Sequence, residues 1–209
     1  HSHSSASAVR LGWALAVTGA VVVAELVGAF WSGSLSLAAD AWHMVVDASG
    51  LVIALIAAHL TRRPRDEKHT WGWARSEVLA AALQAGMLLI ICAIVAWEGA
   101  WRLLSPPEVK AGPMLLVGVV GLLANVAALA ILAGGREANL NMKAAFLEVA
   151  NDALGSLAVI VAAGAEWALG WTRADAIASL LIAVLMAPRA LALLRRSVAI
   201  LMEQAPTSV

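Results

Sequence analysis

The sequence predicts an all-α polytopic membrane protein, a bundle of six transmembrane helices, and three observations carry that reading. Hydrophobic residues make up 62% of the 209 positions and charged residues only 13%, a balance that a water-soluble domain does not carry. Apolar runs of about 20 residues or more, enough to cross a hydrocarbon core of about 30 Å, occur six times. The runs are separated by residues that interrupt helices or carry clustered charge.

The spans are expected at 10–31, 35–60, 75–102, 113–134, 142–168 and 173–196, with a cytoplasmic segment at 1–9 and a short cytoplasmic tail at 197–209. Ser32-Gly33-Ser34 ends the first span. The charged stretch Arg62 to Lys68, with Pro64, ends the second, and Pro106-Pro107 the third. Gly134-Gly135 and the Gly170 to Arg173 turn close the fourth and fifth. Thr172 with Asp175 reads as a capping box that opens the sixth, which makes Asp175 a cap rather than a ligand. The polar start, His1 to Ser7, lacks the charged and apolar regions of a signal peptide.

Charge fixes an orientation. Net charge is zero, so nothing points to nucleic acid, but the basic residues are unevenly placed. With a cytoplasmic N-terminus, only Arg102, Lys110 and Arg173 of the 14 Lys and Arg residues fall outside. The positive-inside rule then puts both termini in the cytoplasm, most simply of a bacterial inner membrane. Trp31, Trp71, Trp73, Trp101, Trp167 and Trp171 lie near span ends, as interfacial anchors do. The single Cys92 excludes an internal disulfide framework and a Cys-rich metal site, and reads as a packed bystander.

Two ligand pairs stand inside the apolar runs. His43 with Asp47 and Glu148 with Asp152 are each spaced i, i+4, so both side chains of a pair leave one helix face. A carboxylate at such depth costs about 2.5–3.5 kcal/mol on insertion scales. Two pairs of ligand type are hard to explain as packing. Together they offer one imidazole nitrogen and up to three carboxylates, a donor set for one tetrahedral zinc or similar first-row divalent ion. Without a cation or protons the carboxylates would repel in low dielectric, so metal and protons compete for the site.

The remaining polar residues have blander readings. Asp40, three residues before His43, either supports the ligands or the entry of the ion, or is structural near the outer helix end. Glu25 either handles protons or makes an interhelical contact. Glu77 suits an interfacial ion pair with Arg75. Asn125 and Asn151 suit hydrogen bonds between helices, and His59 and His69 suit solvated positions beside the basic loop. Gly118, Gly121, Gly155 and Gly164 allow close helix approach.

Three motifs carry a family resemblance: the run from Ser32 to Ala48, the run from Trp71 to Ala81, and the run from Asn141 to Ser156. With these, the chain resembles the cation diffusion facilitator family of zinc-transporter-type metal/proton antiporters over essentially its whole length. The resemblance implies six spans, a homodimer, cytoplasmic termini and a central metal site from the second and fifth helices. Two departures stand out. Zinc-selective members commonly have His where Glu148 stands here, which makes this site harder and more anionic and broadens the expected ions to cadmium, cobalt, manganese or iron. The usual cytoplasmic metal-binding domain would begin where this sequence stops at Val209, so dimerisation is expected through the membrane helices.

The expected function is secondary active export of divalent cations, zinc first, in exchange for protons by alternating access. The ion is cargo and no prosthetic group is expected. A passive metal channel is the nearest rival, separated by its indifference to a proton gradient. A metal receptor would bind without transport. An intramembrane metalloenzyme is disfavoured by the absence of a His-Glu-x-x-His motif and of a nucleophile beside a base.

Overall fold

A computed structural model describes residues 2–61, 75–134 and 140–202. Among them every regular element is an α-helix: α1 (Ser2–Ser32), α2 (Leu35–Thr61), α3 (Arg75–Leu104), α4 (Ala111–Ala133), α5 (Leu140–Leu169) and α6 (Ala174–Leu201). The stretches 76–104, 111–133, 145–169 and 174–201 are each long and apolar enough to cross a membrane, and 16–32 adds a shorter apolar helix. The chain is an integral membrane protein. The basic loop with His69, Trp71 and Trp73 lies outside the described residues, as does Gly135.

Two helices outrun their expected ends. α1 is helical from Ser2, because residues 2–11 contain neither Gly nor Pro to stop the helix. α6 continues through Pro188 to Leu201, so the tail expected from 197 is helical for its first turn.

Contacts divide the chain into two units. The first comprises residues 1–42 and 95–182, and in it α4 packs against both α1 and α5. Small residues make that packing close. A β-carbon at Gly28 would press into Val117, and one at Gly118 would lie 3.1 Å from the Ile160 side chain. Gly164 meets nothing within 4 Å, so the expectation of a tight contact there does not hold. Ala29, Leu37, Val109, Met114, Val159 and Ala163 form the apolar core around these contacts. A smaller cluster joins Ala128, Leu132 and Val149.

The second unit comprises 43–94 and 183–209. Met44, Val46, Ala85, Leu88 and Cys92 are buried in it. Large apolar side chains such as Phe30, Ile90, Trp97, Leu123 and Val184 are exposed, the pattern of helices whose outer faces meet lipid rather than water. Trp31, Trp101 and Trp167 are likewise exposed near helix ends.

One expectation is corrected at the turn between α1 and α2. Gly33 takes the left-handed conformation (φ 75°) and its N–H donates to the Ala29 carbonyl at 2.9 Å, ending α1. Ser34 then caps α2: its hydroxyl accepts from the Leu37 N–H at 3.1 Å. The N–H groups of Leu35 and Ser36 donate to Asp175 at 2.7 and 3.1 Å, and both serine hydroxyls, Ser34 and Ser36, donate to the same carboxylate at 2.6 Å. Asp175 therefore caps α2, not the helix that carries it. The start of α6 is satisfied by backbone bonds, Ala174 to Trp171 and Ile177 to Arg173. The free amides of α2 are buried and need an acceptor, and a carboxylate answers them better than the hydroxyl of an exposed Thr172. Arg102 closes the node, donating to the Gly33 carbonyl at 2.8 Å and to Glu98 at 2.9 Å.

Candidate metal centre

His43 and Asp47 sit one turn apart on α2, in the second unit. Helical spacing brings them together: His43 Nε2 and Asp47 Oδ2 are hydrogen-bonded at 2.8 Å. His43 is 3% exposed and Asp47 half-buried. The other carboxylate oxygen, Asp47 Oδ1, accepts from Gln84 Nε2 on α3 at 3.1 Å. Gln84 holds Asp47 from outside the pair, as a group around a metal ligand does. Gly50 makes room for it, since a β-carbon there would overlap the Gln84 carboxamide.

Glu148 and Asp152 lie on α5, in the first unit, again one turn apart. Asp152 is 3% exposed and Glu148 half-buried. Each pair thus combines a buried member with a half-buried one.

The sequence reading passed over Gln84. The signal was present, since a lone amide between Glu77 and Glu98 in an otherwise apolar helix needs a partner. Asn125 behaves as expected, donating from Nδ2 to Ser156 Oγ across α4 and α5 at 3.4 Å. Asn151 does not: it is exposed on α5, because its neighbour Asp152 occupies the inward face and successive helical positions diverge by about 100°. Glu77 is exposed in the first turn of α3, where a carboxylate favours the helix N-terminus.

Asp40 and Glu25 are placed more sharply than the sequence allowed. Both are in the first unit and essentially without exposure, at 1% and 0%. Glu25 Oε1 and Ser156 Oγ lie beside Gly121 of α4, and the Asp40 carboxylate lies against Gly155 of α5.

Residues 12–202 match the model of the cation efflux transmembrane domain. The chain is 43% identical over 216 residues to the zinc transporter ZitB of Escherichia coli, covering all of this chain and 69% of that protein. It is 39% identical over 209 residues to the metal cation efflux system protein CzcD of Cupriavidus metallidurans, covering all of this chain and 66% of the relative. A cadmium, cobalt and zinc/H(+)-K(+) antiporter of Bacillus subtilis is 34% identical over 211 residues, covering all of this chain and 68% of its own length. The chain thus spans about two thirds of the length of these relatives.

Proposed function

The chain belongs to the cation efflux family, and on that premise we propose that it exports divalent cations, zinc first, from the cytoplasm in exchange for protons by alternating access. It is a transporter rather than an enzyme. His43, Asp47, Glu148 and Asp152 are the proposed ligands of the transported ion. The observation that carries the reading is the 2.8 Å contact of His43 Nε2 with Asp47 Oδ2 inside an apolar helix, repeated in spacing by Glu148 and Asp152. The names of the relatives, zinc transporter and metal cation efflux protein among them, support it.

The contact also suggests how ion and proton exchange. A hydrogen bond between imidazole and carboxylate requires a proton between the two atoms. A cation that takes both atoms as ligands displaces that proton, which leaves for solvent when Nδ1 is already protonated and otherwise moves to Nδ1. Gln84 keeps Asp47 oriented through the exchange. With Glu148 in the ligand set, the site is more anionic than one with two imidazoles, which opens it to cadmium, cobalt, manganese or iron. Both termini face the cytoplasm of a bacterial inner membrane in this reading, and two copies associate through their membrane helices.

Proteoliposomes with an imposed pH gradient test the proposal. Zinc uptake should follow the gradient in the parent protein and vanish in Asp47→Ala and in Asp152→Ala, each purified as a folded protein. Uptake that persists in either variant rejects the ligand assignment, and uptake indifferent to the gradient rejects proton exchange in favour of a channel.

A further inference from the structure

With Asp47 read as a ligand of the transported ion, the surroundings of its carboxylate bear on how it ligates. The two oxygens face different partners. Oδ2 is 2.8 Å from His43 Nε2 on the same helix, while Oδ1 accepts from Gln84 Nε2 on α3 at 3.1 Å. All three side chains belong to the second unit. Gln84 is the one carboxamide between Glu77 and Glu98, and it is half-buried, with Ala85 next to it in sequence and Leu88 one turn on both buried.

A glycine seats the carboxamide. Gly50 is buried on α2 three residues after Asp47, so the notch and the carboxylate share a helix face. A β-carbon at Gly50 would overlap Gln84 Cδ and Oε1. Glycine inside a helix is destabilising relative to alanine, and here the amide fills the space of the missing methyl. Because Oε1 is turned to α2 at Gly50, the group that Gln84 presents to Asp47 is its NH2, which donates and does not coordinate a cation. Joining α2 to α3 does not by itself call for a ligand carboxylate, since a hydroxyl serves an amide as well, as Ser156 does for Asn125 in the first unit.

We propose that Gln84, seated by Gly50, is a specificity-determining residue: it engages Oδ1 and leaves Asp47 to meet the ion through Oδ2 alone, which favours zinc over an ion such as Mn2+. Zinc takes four donors, which four side chains supply singly. Mn2+ belongs with the ions that seek six oxygens, and a carboxylate serves an ion of high coordination number by turning both of its oxygens to it. The amide holds the second oxygen back. Glu148 and Gln84 therefore act in opposite senses in the proposed donor set: the carboxylate at 148 makes it harder, and the amide at 84 limits how many oxygens it offers.

Zn2+ and Mn2+ dissociation constants of the purified chain in detergent test this role. Gln84→Met keeps an unbranched side chain of similar length and removes the donor. Zn2+ affinity should fall by about tenfold while Mn2+ affinity holds or rises, so that the preference for zinc narrows by the same factor. A general loss of structure weakens both ions together and cannot produce that narrowing. Gly50→Ala displaces the carboxamide without removing a polar atom, should shift the preference in the same direction, and decides the question if Gln84→Met does not fold. A preference unchanged in these variants, or Zn2+ and Mn2+ affinities reduced by one common factor, overturns the proposal. Asp47→Ala in the same titration separates it from the reading beneath it: Zn2+ affinity lost there, with the preference unmoved in Gln84→Met, rejects the role of Gln84 alone, whereas Zn2+ affinity kept in Asp47→Ala rejects both.

Discussion

Two groups of buried acids in the same unit behave in opposite ways. Asp175 is 2% exposed and accepts four hydrogen bonds of 2.6–3.1 Å, with Arg102 Nη1 a further 3.9 Å away. Asp40 is as deeply buried and accepts none, and Glu25 has only the Ser156 hydroxyl beside it. Burial alone therefore does not say what holds an acid in place. The surroundings of each group differ: Asp175 is matched by the amides and hydroxyls that begin α2, while Glu25 and Asp40 lie beside glycines of α4 and α5.

The contrast can be broken by substitution, and the largest effect is expected at Asp175. Asp175→Ala leaves the Leu35 and Ser36 amides and the Ser34 and Ser36 hydroxyls without their acceptor, and should cost about 3 kcal/mol or more. Denaturation in detergent micelles reads this as a lower midpoint, and a midpoint within error of the parent would show that the α2 cap is dispensable. Gly155→Ala ranks next. Its methyl takes the place of an Asp40 oxygen, an overpacking worth about 1–3 kcal/mol, and the same denaturation series should show relief when Asp40→Ala is combined with it. Absence of relief would mean that Asp40 is not the group the glycine accommodates.

The smallest effect sharpens the comparison most. Glu25→Gln keeps shape and removes a buried ionisable group, so stability should fall by no more than about 1 kcal/mol, or rise. A loss comparable with that of Asp175→Ala would place Glu25 among the structural acids and leave the contrast without content.

Much of this architecture was legible in the chain. Apolar runs and their breaks located six helices because hydropathy and helix length are local properties, set by the membrane rather than by distant residues. The pairing of His43 with Asp47 was equally local, since one helical turn brings positions i and i+4 together. Where local signals competed, the reading failed. Thr172 and Asp175 have the spacing of a capping box, yet Asp175 turns to Leu35 and Ser36, 140 residues earlier in the chain. Asn151 has the composition of an interhelical contact but the angular position of an exposed residue.

The sequence by itself determined that the chain is helical, that it lives in lipid, and that two of its helices each present a pair of metal-type ligands. Only the tertiary structure decided which helix start Asp175 serves, that Gln84 holds Asp47, and that Glu25 and Asp40 are buried beside glycines of α4 and α5. The reason is one of range. Periodicity and hydropathy act over a few turns of one helix, whereas a buried donor or acceptor takes whatever partner packing delivers, and that partner is as often a hundred residues away as three.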